Sequence, residues 1–142
     1  MEWVDAFYGP EDIVKVAKDV DYLVIVAPNT PETEKLVNAK VLAAMKPTAF
    51  LLNLGRGEVV DEEELIRVLK AGKIAGAGLD TYYEEPLPKE HPFWKMKNVI
   101  VSPHMAGMSD VYVEQAVTIA EENLRRFVKG QRGKELLNFI ER

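Results

Sequence analysis

Three residues of this chain have the chemistry to handle a carbonyl beside a bound anion: Arg56, Glu85 and His104. A guanidinium is a planar fork of N–H donors that matches a carboxylate in two parallel hydrogen bonds. Arg56 stands between two glycines in L-L-N-L-G-R-G-E-V-V (51–60), directly after an apolar run, and those glycines let the backbone turn sharply and approach a ligand. Alone, a G-R-G reads first as a turn whose arginine is merely solvated. Glu85 lies in Y-Y-E-E-P-L-P, and His104 follows nineteen positions later in S-P-H. A carboxylate bonded to one imidazole nitrogen fixes the tautomer and favours the protonated ring, which makes histidine a general acid/base near neutral pH. With Arg56 on a substrate carboxylate, the trio has the parts to reduce a 2-keto acid or oxidise a 2-hydroxy acid. The hydride must then come from a cofactor, because no side chain supplies one.

These groups cooperate only if the fold brings them together, and the order of elements says how. Ile13, Val14, Val16 and Ala17 fall on one face of a short helix over Glu11 to Lys18. The continuous apolar runs Tyr22 to Val26, Ala49 to Asn53, Ile74 to Leu79 and Asn98 to Val101 are strands of the kind covered on both faces. Thr30-Pro31 reads as a helix start, and Asn38 caps a second short helix closed before Pro47. Asp61-x-x-Glu64 resembles a capping box ahead of Leu65 to Lys70, which stops at Gly72. Ser109 is expected to cap the longest helix, where Val113, Ala116, Val117, Ala120, Leu124, Phe127 and Val128 recur at three- and four-residue steps. Strands alternating with helices imply an α/β fold: about four parallel strands, doubly wound, with helices on both faces. Ligands of such sheets gather beyond the carboxyl ends of the strands. The residues there are Ala27-Pro28-Asn29, Leu54-Gly55-Arg56, Asp80 and Pro103-His104, so the acid, the histidine and the arginine share one rim.

Composition narrows the alternatives. The 142 residues suit one ordinary domain, and a net charge of −5 leaves no broad basic surface for nucleic acid. Without cysteine there is no disulfide, thiolate metal site or thiol nucleophile, and with two histidines a histidine-rich metal site is not expected. The longest apolar run, Tyr22 to Pro28, falls far short of the ~18 residues that cross a bilayer, so the chain reads as soluble and cytoplasmic, with no membrane partner. Lys129 to Lys134, rich in glycine and basic residues, reads as a linker.

The runs N-L-G-R-G-E-V-V-D-E-E-E-L, G-K-I-A-G-A-G-L-D, E-E-P-L-P and N-V-I-V-S-P-H-M-A-G, in this order and with short gaps, resemble the D-isomer-specific 2-hydroxyacid dehydrogenase family from about Ile13 to Gly130. The resemblance implies Arg56 as carboxylate binder, Glu85 as orienting acid and His104 as proton donor to the carbonyl oxygen. It further implies that Ala27 and Pro28 lie near the adenosine half of NAD or NADP, that Leu54, Gly55, Met105, Ala106 and Gly107 line the cofactor, and that Asp80 meets its nicotinamide end. The substrate would be a small 2-hydroxy or 2-keto acid. Glu85 speaks against the formate-dehydrogenase branch, which has glutamine there. By the same resemblance, residues 1–130 correspond to the second half of an NAD-binding Rossmann domain, with 131–142 as a tail. The glycine-rich phosphate turn, the ribose acid and the substrate domain do not appear in the chain, so the expectation is a truncated or split dehydrogenase portion, inactive alone. It would associate as a homo-oligomer or with a complementary chain through the Tyr22 to Val26 edge or the long helix. The alternative is a non-catalytic binding module, since the same fold serves as a nucleotide-sensing corepressor in C-terminal-binding proteins.

Plainer readings apply elsewhere. Asp80 is also an ordinary strand-end turn acid, His91 beside Pro92 is expected at the surface, and Phe93, Trp94 and Met96 are expected to pack beneath their loop. Tyr82 and Tyr83 are either a substrate cover or loop anchors, and Glu62 to Glu64 need no role beyond helix-start chemistry. G-A-G-L-D-T imitates a dinucleotide fingerprint but lies within a strand and lacks its third glycine.

Overall fold

Four parallel strands lie side by side in chain order in the computed structural model, which describes residues 3–140: β1 (Tyr22–Ile25), β2 (Phe50–Asn53), β3 (Gly76–Leu79) and β4 (Val99–Val101). Each sits inside the apolar run that announces it, losing only terminal residues to turns. The α/β reading of the sequence is therefore what the chain folds into. The chain divides into two compact units at the junction of Ala106 and Gly107, and the whole sheet belongs to the first.

Three helices serve this sheet: α1 (Ile13–Asp19), α2 (Ala39–Ala44) and α3 (Glu62–Lys70). Pro10–Asp12, expected as the first helical turn, is a 3₁₀ turn leading into α1. Asn38 caps α2 as expected, its Oδ1 accepting from the amides of Lys40 (2.9 Å) and Val41 (3.4 Å). Asp61 accepts from the Glu64 amide at 3.3 Å, while the Glu64 side chain turns outward to Arg67. The helix start read at Thr30-Pro31 is not a helix. The Thr33 hydroxyl donates to the Pro28 carbonyl at 2.7 Å and accepts from the Thr30 amide at 2.8 Å, which closes the segment into local turns.

The sequence suggests strands covered on both faces; within the first unit only one face is covered. Leu23, Ile25, Leu51, Ala77 and Leu79 alternate onto the side of Ala17, Val41, Leu42, Leu65, Val68 and Leu69, which form one core. The helices lie beside one another, α1 against α2 and α2 against α3, so their apolar stripes reach the same side. Tyr22, Val24, Phe50 and Ile100 emerge on the other face, where Ile100 is 77% exposed and the rings of Tyr22 and Phe50 stack at 5.8 Å.

The second unit is α4 (Tyr112–Val128) and the residues around it. Ser109 does not cap it with its side chain. The helix begins later, after Val111, and Ser109 contributes its carbonyl to the Tyr112 amide. Lys129 to Lys134 is a turn rather than a free linker, because the tail folds back on α4. Asn123 exchanges two hydrogen bonds with the Leu137 backbone (2.7 and 3.1 Å), and the Arg132 guanidinium lies 3.7 Å over the Phe127 ring. Among the described residues no helix is long and apolar enough to cross a membrane.

Candidate active site

Register builds the rim. Ile25 pairs with Asn53, Asn53 with Leu79 and Leu79 with Val101, so all four strands end on one line. The ladder runs one step further: the amides of Leu54, Asp80 and Ser102 donate to the carbonyls of Ile25, Asn53 and Leu79 at 2.9, 3.0 and 3.0 Å. Segments far apart in sequence therefore leave the sheet at the same level and on the same side.

Arg56 leaves β2 through a turn organised by Asn53, which sequence reasoning overlooked. Its buried Oδ1 accepts from the Gly55 amide (3.1 Å) and its Nδ2 donates to the Arg56 carbonyl (2.9 Å), the self-capping chemistry of asparagine in turns. Asparagine ending an apolar run just before G-x-G was the available signal. Both glycines are required by close approach. A Cβ on Gly55 would stand 2.5 Å from the Ala27 carbonyl oxygen, and one on Gly57 only 2.0 Å from the backbone of Tyr82. The exposed Arg56 side chain donates from one terminal nitrogen to the Gly55 carbonyl at 2.7 Å.

Asp80 is 2% exposed and holds the loop beyond β4. Its Oδ1 accepts from the Ser102 hydroxyl (2.6 Å) and the Met105 amide (2.9 Å), and its Oδ2 from the Ala106 amide (2.8 Å). Burial pushes this carboxyl up, but the bonds from Ser102, Ala106 and Met105, with the charge of His104, outweigh it and hold Asp80 below its ordinary value. These bonds grip the chain on both sides of His104, whose φ of +52° is the left-handed conformation that side chains adopt at a penalty of about 1 kcal/mol or more.

The imidazole is aimed by Glu85: His104 Nδ1 lies 2.7 Å from Glu85 Oε2, while Glu85 Oε1 accepts from the Tyr82 amide at 3.1 Å. The pair fixes a proton on Nδ1 and turns Nε2 away from the carboxylate. Burial raises the Glu85 pKa, yet the bonds from His104 and Tyr82 and the positive charges of His104 and Arg56 bring it below the ordinary carboxylate value. Tyr82 ties the ends of β3 and β4 by donating its hydroxyl to the carbonyls of Leu79 (2.9 Å) and Ser102 (2.8 Å). A concavity of about 620 Å³ adjoins the pair, walled by Pro86, Leu87, Trp94 and Val101.

Of the residues named for the cofactor, Ala27, Pro28, Leu54 and Gly55 lie together past β1 and β2, and Met105 and Ala106 lie on the Asp80-held loop. Gly107 belongs to the second unit. Three plainer readings need correction. His91 is not a free surface residue: its side chain is 14% exposed, with Nε2 3.3 Å from Glu62 Oε1 and the ring against Phe93. Trp94 does not pack beneath its loop but is 53% exposed, while Phe93 and Met96 do pack inward. Glu62 does more than start α3, since its Oε2 also accepts from the Tyr83 amide at 3.3 Å. Tyr82 is a buried anchor and Tyr83 is exposed.

A parallel α/β sheet whose polar side chains collect past its strand ends is the architecture of nucleotide-binding α/β domains. Residues 4–106 match the D-isomer specific 2-hydroxyacid dehydrogenase NAD binding domain, and the chain belongs to that family. It is 40% identical over 127 residues to the glyoxylate reductase of Thermofilum pendens, a match covering 89% of this chain and 38% of that one. Identity to the glyoxylate reductase of Pyrococcus furiosus is also 40%, over 133 residues, with 94% and 39% covered. The chain thus spans well under half the length of these relatives. Among solved structures, a D-isomer specific 2-hydroxyacid dehydrogenase from Xanthobacter autotrophicus, in complex with NADPH and MES, superposes with a TM-score of 0.84 at 38% identity, covering 95% of this chain and 54% of that one. An NADPH-dependent glyoxylate/hydroxypyruvate reductase from Sinorhizobium meliloti, in complex with NADP and sulfate, gives 0.80 at 31% identity, with 92% and 42% covered.

Proposed function

We propose that this chain carries the catalytic rim of an NAD(P)-dependent dehydrogenase interconverting small 2-keto acids, of the glyoxylate and hydroxypyruvate kind, with D-2-hydroxy acids. The observation that carries the reading is the 2.7 Å Glu85–His104 pair standing past the strand ends, with the Arg56 turn packed through Gly57 against the backbone of the Glu85 loop. The rim also suits a nicotinamide nucleotide. At the rim, the half-exposed Leu54 and Met105 offer apolar surface for flat rings. Asp80, its oxygens already engaged, contributes by fixing Met105 and Ala106. When bound, the cofactor donates or accepts the hydride.

Arg56 holds the substrate carboxylate with the guanidinium N–H groups that the Gly55 carbonyl leaves unused. His104 gives the proton on Nε2 to the carbonyl oxygen during reduction and removes it from the hydroxyl during oxidation. Glu85 keeps the ring in place and stabilises its charged form. In the cofactor-dependent enzyme containing these residues, His104→Asn lowers kcat for glyoxylate reduction by about 10²- to 10⁴-fold, and Arg56→Lys acts mainly on KM. Unchanged kinetics in both variants would end the proposal.

A second reading has its own observation: the apolar face of Tyr22, Val24, Phe50 and Ile100 is exposed, as suits a non-catalytic module that associates with another copy or chain. NADPH titrated into the pure chain, with its mass recorded at the same time, separates the two. Saturable binding favours the dehydrogenase, and an associated chain indifferent to millimolar cofactor favours the module.

A further inference from the structure

We propose that Glu62, outside the Arg56–Glu85–His104 group, is a positioning residue that holds the Glu85 loop over His104. The inference rests on the dehydrogenase reading only for its purpose, not for its geometry. Glu62 opens α3, and its two oxygens grip the loop carrying Glu85 near both ends: Oε2 accepts from the Tyr83 amide at 3.3 Å, and Oε1 lies 3.3 Å from His91 Nε2.

His91 is itself fixed. Its Nδ1 accepts from the Phe93 amide at 3.4 Å, which places the ring proton on Nε2, facing Glu62. Its ring packs 4.6 Å from that of Phe93, which is 2% exposed and belongs to the core. Through these contacts the loop is tied to α3 and to the interior. On its inner side, Gly57 lets the Arg56 turn touch the backbone of Tyr82 and Tyr83, so the arginine and the carboxylate are held at one spacing.

The loop needs this hold because Glu85 has few anchors of its own. Its side chain is 36% exposed, and apart from His104 its bonded partner is the amide of Tyr82 within the same loop. A carboxylate shifted by 1 Å no longer aims the imidazole, and catalysis by a general acid depends steeply on such alignment. Asp61 already caps α3 through the Glu64 amide, so helix-start chemistry alone does not account for where the Glu62 side chain goes.

The test follows the Glu85 carboxyl by carbon-13 NMR titration of the full chain, without cofactor or substrate, so an absence of dehydrogenase activity would not affect it. In Glu62→Ala the titration midpoint of Glu85 is expected to rise toward that of an ordinary glutamate, as its bonds to His104 and Tyr82 loosen. Glu62→Gln keeps an acceptor for the Tyr83 amide but turns its NH₂ group toward the His91 Nε2–H, so it is expected to restore the wild-type midpoint only in part. A folded Glu62→Ala protein in which Glu85 titrates as in wild type overturns the proposal, and so does a Gln variant no better than Ala. Should Glu62→Ala fail to fold, His91→Leu decides by the same measurement: a raised midpoint supports the brace and an unmoved one refutes it.

Discussion

Replacing Asp80 by asparagine keeps the shape of the side chain and removes the property on which the β4 loop depends. The carboxylate accepts three hydrogen bonds at 2.6, 2.9 and 2.8 Å while 2% exposed. An amide oxygen in the Oδ1 position still meets the Ser102 hydroxyl and the Met105 amide. Its NH₂ group then faces the N–H of Ala106, donor against donor, and leaves a buried amide unpaired. An unsatisfied buried group costs about 1–3 kcal/mol and losing the charge weakens the other two bonds, so the expected destabilisation is about 2–4 kcal/mol at pH 7. Urea unfolding followed by tryptophan fluorescence reads the first unit, which holds both Trp3 and Trp94. The pH dependence supplies a second check. Asp80 titrates below its ordinary value when folded, so on acidification the unfolded chain takes up the proton first. Its stabilisation is whole above about pH 4, the value of a free aspartate, and fades as pH falls through the lower folded value. The gap between variant and wild type should therefore narrow in strong acid. A loss under about 0.5 kcal/mol at pH 7, the scatter of ordinary surface substitutions, would refute this account of the loop.

Other substitutions probe separate links. Gly57→Ala forces a Cβ to 2.0 Å from the Tyr82 backbone, so thermal unfolding should show a loss of about 1–3 kcal/mol or more, the usual penalty of overpacking. Thr81 buries a hydroxyl with no partner among the described residues; Thr81→Val is expected to stabilise the first unit by about 1 kcal/mol, and destabilisation in urea melts would mean that the hydroxyl is bonded. Leu51→Ala on the covered face should cost about 2–5 kcal/mol, whereas Ile100→Thr on the exposed face should stay within about 0.5 kcal/mol. Equal losses at these two sites would contradict a sheet covered on one side.

The strands were legible because their signal is local: four short apolar runs, each followed within two residues by glycine, proline or acid, leave little choice of element. Which face each strand buries was not legible. An uninterrupted run such as Tyr22 to Val26 looks the same whether one or both sides are covered, and only the side-by-side placement of α1, α2 and α3 decides. Helix starts were readable where a side chain accepts from an amide of the first turn, at Asn38 and Asp61, and misleading at Thr30, whose hydroxyl pairs with that of Thr33, and at Ser109, where the helix begins only after Val111.

The site divides along the same line. His104 stands out in a chain with two histidines and no cysteine, and Arg56 and Glu85 stand out through the G-R-G and E-E-P-L-P runs around them. What aims them is spread over residues with commonplace reasons to exist: an asparagine ending a strand, an aspartate in a turn, a glutamate at a helix start. Asn53 shapes the Arg56 turn, Asp80 grips the chain around His104, and Glu62 holds the loop of Glu85. Each makes its decisive bond to a backbone amide or carbonyl, and every chain position offers those groups, so no pattern of side-chain types marks the partner. Parallel register then does what motif spacing cannot. With Ile25, Asn53, Leu79 and Val101 on one line, turns separated by some fifty residues open at the same height, and short-range bonds within each turn fix its backbone there.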